Sequence, residues 1–150
     1  MDNPQHITLS LDKIIECFEV RSVLEGNAAF RAALKHPDTT LLESLLKQME
    51  LSKSGPEFLE INLLFHNELF RLSDATIHAE LIKVLWERIP LELVANTQTD
   101  RVKINAEHKA LVDALKDADA FKSENIAKHH VLHVMADCID RMRANQQTYD

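Results

Sequence analysis

The sequence has 150 residues, enough for one compact domain with a sizeable core. Its two glycines and four prolines fall far below the roughly 18 expected from average usage of about 12%, which excludes a β-sandwich or barrel with its frequent turns. Seventeen Lys and Arg against 24 Asp and Glu leave a formal charge of −7, a field that repels phosphate backbones, and no apolar run approaches the roughly 18 residues of a membrane span.

Residues 1–10 read as a polar leader, without the basic patch and apolar stretch of a secretory signal, so a cytoplasmic protein is expected. Leu11 to about Leu34 places Ile14, Phe18, Leu24 and Phe30 at helical spacing, and Pro37 stops that helix. Thr40-Leu41-Leu42-Glu43 has the spacing of a capping box and predicts a second helix with Leu42, Leu45, Leu46 and Met49 on its apolar face. Ser54-Gly55-Pro56 is the strongest breaker in the chain. After it comes a helix from Glu57 to about Leu72, forming a helical hairpin with the second. Ser73 to Thr76 offers a break and a new N-cap. Ile77 to Ala95 then reads as helical, with Pro90 kinking it or ending it early. Asn96 to Asp100 reads as a polar connection, Arg101 to Lys116 as a fifth helix, Asp117 to Asp119 as a turn, and Ala120 to about Asn145 as a long last helix. Residues 146–150 are a tail. The expected fold is all-α, one domain, an antiparallel bundle of about six helices. Cys17 and Cys138 sit among apolar neighbours and are expected to be buried thiols rather than a disulfide.

Three of the eight histidines fall where charge does not belong. On a helical wheel His66 is surrounded by Leu59, Leu63, Leu69 and Phe70, with Asn62 one turn earlier on the same stripe. His108 is flanked by Ile104, Leu111, Val112 and Leu115. In the last helix His129, His130 and His133 occur together. The apolar residues Val131, Val134, Met135, Cys138, Ile139 and Met142 centre nearer to His130, which is therefore expected to face inward. A single inward histidine is more often a core residue bonded to a main-chain carbonyl than a ligand. Three of them on three helices, with an amide, need a shared solution. Unpartnered burial costs about 1 to 3 kcal/mol for each group, and a divalent cation supplies the missing partner. Nitrogens of His66, His108 and His130 with the side-chain oxygen of Asn62 would make an incomplete coordination sphere, open to water or an anion.

The order of these signals resembles the FCD domain, the C-terminal effector-binding and dimerisation domain of FadR-type regulators in the GntR family. Glu19-Val20-Arg21-Ser22-Val23-Leu24-Glu25 is similar to the family's opening E-V-R-x-x-L-E. Asn62-Leu63-Leu64-Phe65-His66 stands where the family has D-x-x-F-H. Glu107-His108 opens an apolar run, as in the penultimate helix of the family, and His130 is the eleventh residue after Asp119, as in its final helix. The resemblance covers about Leu11 to Asn145. It implies a divalent metal, zinc first and nickel, manganese or iron also compatible, held by Asn62, His66, His108 and His130. It also implies a small carboxylate effector at the open positions and a homodimer. Asn62 replaces an acidic ligand and brings no charge, so the resemblance implies weaker metal retention here. Ser73-Asp74-Ala75 stands where the family has A-G-N, which affects local loop geometry alone.

Arg21 is either a solvated flank residue or a bidentate carboxylate clamp near the effector, the role the resemblance implies. Arg101 is the weaker candidate. Family members read DNA through a basic winged helix-turn-helix ahead of this domain. That reader is expected to be absent from this chain, so DNA binding by it alone is not expected. Two other classes compete: a three-histidine hydrolase or transferase on a helical bundle, resembling DinB-like proteins, and a metal-free dimerisation module with ordinary core histidines. In the enzyme reading Glu107 is the candidate base. Neighbouring residues on a helix diverge by about 100°, so Glu107 is expected to point away from the site.

Overall fold

The computed structural model describes residues 9–90, 93–94 and 97–147. Six helices follow in chain order: α1 (Leu11–Leu34), α2 (Thr40–Leu51), α3 (Gly55–Ser73), α4 (Thr76–Trp86), α5 (Gln98–Lys116) and α6 (Ala120–Gln147). They form an all-α bundle, with no strand among the described residues. Most of the expected polar leader, residues 1–8, and the end of the tail, residues 148–150, lie outside the described residues.

The two long helices, α1 and α6, pack along most of their length. They run antiparallel, since Phe30 meets Phe121 edge-on at 5.2 Å while Gly26 lies against Glu124 and Lys128. A Cβ at Gly26 would come within 3.3 Å of the Glu124 carbonyl oxygen, so glycine sets how closely the two backbones approach. Helix α5 pairs antiparallel with α6, and α4 lies antiparallel across α1, with His78 bonded to Asn27 and Trp86 over Arg21. Phe18, Phe58, Phe65, Leu69, Leu111 and Leu115 fill the main core, all close to fully buried. A satellite core of Ala28, Phe70, Ala75 and Ile82 seats α4 on α1 and α3.

Helix ends differ from expectation in two instructive places. The box expected at Thr40 does not form: Thr39 is the N-cap and makes no side-chain cap bond. Thr40 instead donates to Asp38 through both its backbone N–H and its hydroxyl, and Glu43 pairs with Lys116 across the bundle. The box that does form joins Thr97 and Asp100, each side chain accepting from the other's backbone N–H, so α5 begins three residues before Arg101. Helix α4 stops at Trp86, short of Pro90. Residues 91–92 and 95–96 of the predicted longer helix lie outside the described residues. Asp74 ends α3 with φ 52°, a left-handed conformation that Asp tolerates better than most side chains. Both cysteines are free and buried. Burial pushes the Cys138 thiol up to about 11, keeping it protonated.

Candidate metal centre

Three helices deliver one imidazole each to the middle of the bundle. His66 comes from α3, His108 from α5 and His130 from α6, and all three are buried. One ring nitrogen from each lies within 4.8 Å of the other two. The facing expected from periodicity holds for each ring, and His129 and His133 are exposed.

Hydrogen bonds fix how the rings are presented. His130 Nδ1–H donates to Glu107 Oε2 at 2.5 Å, which leaves His130 Nε2 as a lone pair. That lone pair lies 3.1 Å from His108 Nε2, making His108 the donor of the contact. His108 Nδ1 is then a second lone pair, buried with no partner. His66 Nδ1 lies 3.2 Å from Glu25 Oε2 without making a hydrogen bond to it, and is a further buried ring nitrogen without a hydrogen-bond partner. Phe65 stacks on His108 with centroids 4.3 Å apart and planes 20° from parallel, holding the ring from its other face.

These residues fit a divalent cation. Two nitrogen ligands of one ion, each at about 2.0 to 2.1 Å, lie roughly 3.0 to 3.4 Å apart, and the His108 to His130 separation falls within that range. Shifting the His108 proton to its unpartnered Nδ1 turns both Nε2 lone pairs toward a shared ion. Asn62 Oδ1 is also buried without a partner. Asn62 lines a small cavity with Arg21, His66, Trp86 and His130. An orphaned amide oxygen beside imidazoles costs free energy that a cation would recover.

The surrounding charges are organised in two branches. In the first, Glu25 is almost fully buried and its Oε1 accepts from both Nε and Nη2 of Arg21, at 3.0 and 2.9 Å, while Oε2 faces His66. Burial alone would raise the Glu25 carboxyl, but Arg21 and then His66 outweigh it and hold the group well below the usual carboxylate range. Of the two roles expected of Arg21, that of a solvated flank residue does not hold. Arg21 is buried, paired with Glu25, and its guanidinium lies 4.1 Å from the Trp86 ring centroid.

In the second branch, Glu107 does not point away. The expectation considered only the direction of its own helix, yet a glutamate is long enough to cross to α6. Its two oxygens accept from His130 Nδ1 and from His133 Nδ1, the latter at 2.7 Å. Burial would raise the Glu107 carboxyl; the bonds from the two histidines offset this and keep it low. Burial lowers His108 strongly, helped by the nearby His130 and His66. It lowers His130 too, with Glu107 pushing back. Both rings are therefore neutral at physiological pH, the form that ligates.

A cleft of about 470 Å³ between α3 and α4 opens onto His66 and Trp86, with Lys83 and Glu87 among its lining residues. Arg101 lies elsewhere, in a separate cleft of about 340 Å³ between α2 and α5.

A helical bundle that brings three buried imidazoles and an unpartnered amide to one point, with Glu107 fixing the His130 ring, is an α-domain built around an internal polar site. The FCD-domain family model matches residues 16–133, and the chain belongs to that family. FCD domains are the effector-binding domains of GntR-type transcriptional regulators. No curated protein sequence matches the chain. Among the described residues no helix is long and apolar enough to cross a membrane.

Proposed function

We propose that this chain is the sensing module of a GntR-type regulator, holding a divalent metal, zinc first, and a small carboxylate effector inside the bundle. His66, His108, His130 and Asn62 would hold the cation. Bound there, it would supply positive charge with positions left open for an incoming carboxylate. The observation that carries this reading is the meeting of three buried imidazole nitrogens from three helices within 4.8 Å.

The cleft between α3 and α4 is the natural approach for the effector, since it reaches His66 from solvent and carries Lys83 along its wall. Arg21 acts in this scheme through Glu25. An effector carboxylate that reaches Arg21 must share it with Glu25 or displace it, and either event disturbs the carboxylate facing His66. Effector binding then shifts regulation only to the extent that it favours one helix arrangement over another, changing the placement of two DNA-reading heads in a homodimer. Ile77, Leu81 and Val84 form an exposed apolar row along α4 and support self-association.

The enzyme reading is weaker, because Glu107 spends both oxygens on His130 and His133 and is not free to act as a base. Native mass spectrometry of the untagged chain as purified tests the proposal. The expected result is a dimer carrying one metal per chain in the buried cluster, displaceable by chelator and accompanied by a retained small acid. A chain that binds no zinc when titrated, or whose zinc binding is unchanged by His108→Ala, overturns it.

A further inference from the structure

Two histidines outside the buried cluster stand one helical turn apart on the solvent face of α6. His129 and His133 are both exposed, their ring centroids 6.3 Å apart and their planes tilted by 32°. The Nδ1–H of His129 donates to the Asn125 carbonyl at 2.8 Å, and that of His133 donates to Glu107 Oε1 at 2.7 Å. Each proton is thereby held at Nδ1, so each ring presents Nε2 as a lone pair. Histidines at i and i+4 share one face of a helix, and two such lone pairs chelate a borderline divalent cation. A carbonyl or carboxylate behind each ring fixes its tautomer and orientation, as Asn125 and Glu107 do here. The chain's charge of −7 adds a favourable long-range field for any cation.

We infer that His129 and His133 form a second, solvent-exposed metal site for zinc, nickel or copper(II), with Glu107 as its positioning carboxylate. Its other oxygen holds His130, so one carboxylate connects the outer pair to the buried cluster. The outer site needs nothing from the inner one. It stands whether or not His66, His108 and His130 take a metal.

Equilibrium dialysis of the untagged, chelator-stripped chain against zinc, and separately against nickel, tests this by comparing the wild type with His129→Ala/His133→Ala. Both positions are exposed, and circular dichroism checks that the fold is kept. The double variant is expected to bind one equivalent fewer per chain. A parallel His108→Ala variant is expected to keep the outer equivalent. Unchanged stoichiometry and affinity in the double variant overturn the outer site. Two equivalents in the wild type falling to one supports both sites. A single wild-type equivalent that vanishes in the double variant supports the outer site and counts against the buried one.

Discussion

Glu107 Oε2 lies 2.5 Å from His130 Nδ1, although Glu107 sits beside His108 on a different helix. One turn of α5 thus supplies both an imidazole to the cluster and the carboxylate that aims its neighbour. Such carboxylate–histidine contacts set the tautomer and raise the basicity of the ring. Replacing the carboxylate by an amide, Glu107→Gln, keeps the shape and removes the charge. Zinc affinity in a chelator competition is expected to fall about 10- to 100-fold with the fold intact. Unchanged affinity would mean that His130 is not aimed by Glu107.

The amide at position 62 makes the opposite prediction. Asn62→Asp adds negative charge beside the three rings, and zinc is expected to bind at least about tenfold more tightly. The chelator-treated variant should be less stable than its parent, because a carboxylate is then buried without its counterion. A zinc titration gives the first result and urea denaturation the second; equal zinc affinity in the two proteins would remove Asn62 from the ligand set.

The Arg21–Glu25 pair is buried on both sides, with 4% and 1% of the two side chains exposed. Removing one partner leaves the other charge stranded, so Glu25→Ala is expected to cost about 3 to 5 kcal/mol in urea denaturation. Replacing the pair together, Arg21→Met with Glu25→Leu, should cost much less. If the two variants lose equal stability, the loss reflects packing rather than a stranded charge.

Acid should weaken the chelator-treated protein before any carboxylate titrates. His108 and His130 are held below the ordinary histidine value of about 6.5, so they stay neutral in the folded chain while an unfolded chain takes up protons. The unfolded state binds more protons as pH falls, and stability declines from about pH 6.5 downward. A second decline is expected as pH drops through the ordinary glutamate range near 4.3, where Glu25, whose folded carboxyl is held low, loses its contribution. Melting temperatures across pH 4 to 8 in the presence of chelator check both steps. A flat profile between pH 7 and 5 would contradict burial of neutral rings.

Periodicity carried most of the architecture. Helix α1 begins and ends at the residues its apolar spacing indicates, because Ser10 and Pro37 bracket an uninterrupted pattern. Facing alone separated His130 from His129 and His133, since six apolar residues on α6 outvote any single polar neighbour. Sequence spacing could not reveal contacts between helices. Thr40 and Thr97 both precede an acidic residue at the third following position, yet only Thr97 closes a box. At the other site Asp38 captures Thr40 and Lys116 draws Glu43 away. Glu107 was misdirected for the same reason, as its partner belongs to α6. Glu25 was the most accessible omission. Arg21 and Glu25 stand at i and i+4, a spacing that predicts a pair, and an arginine buried in a core must have one.

Trp86, the sole tryptophan of the chain, covers the Arg21 guanidinium and lies 5.8 Å from the His66 ring. The protein's entire indole emission therefore originates at the mouth of the cluster. Loading of the rings by a cation, or a rearrangement of Arg21 by an incoming acid, alters the immediate surroundings of that one fluorophore. The domain thus carries a built-in optical gauge of its own occupancy, readable in the unlabelled protein.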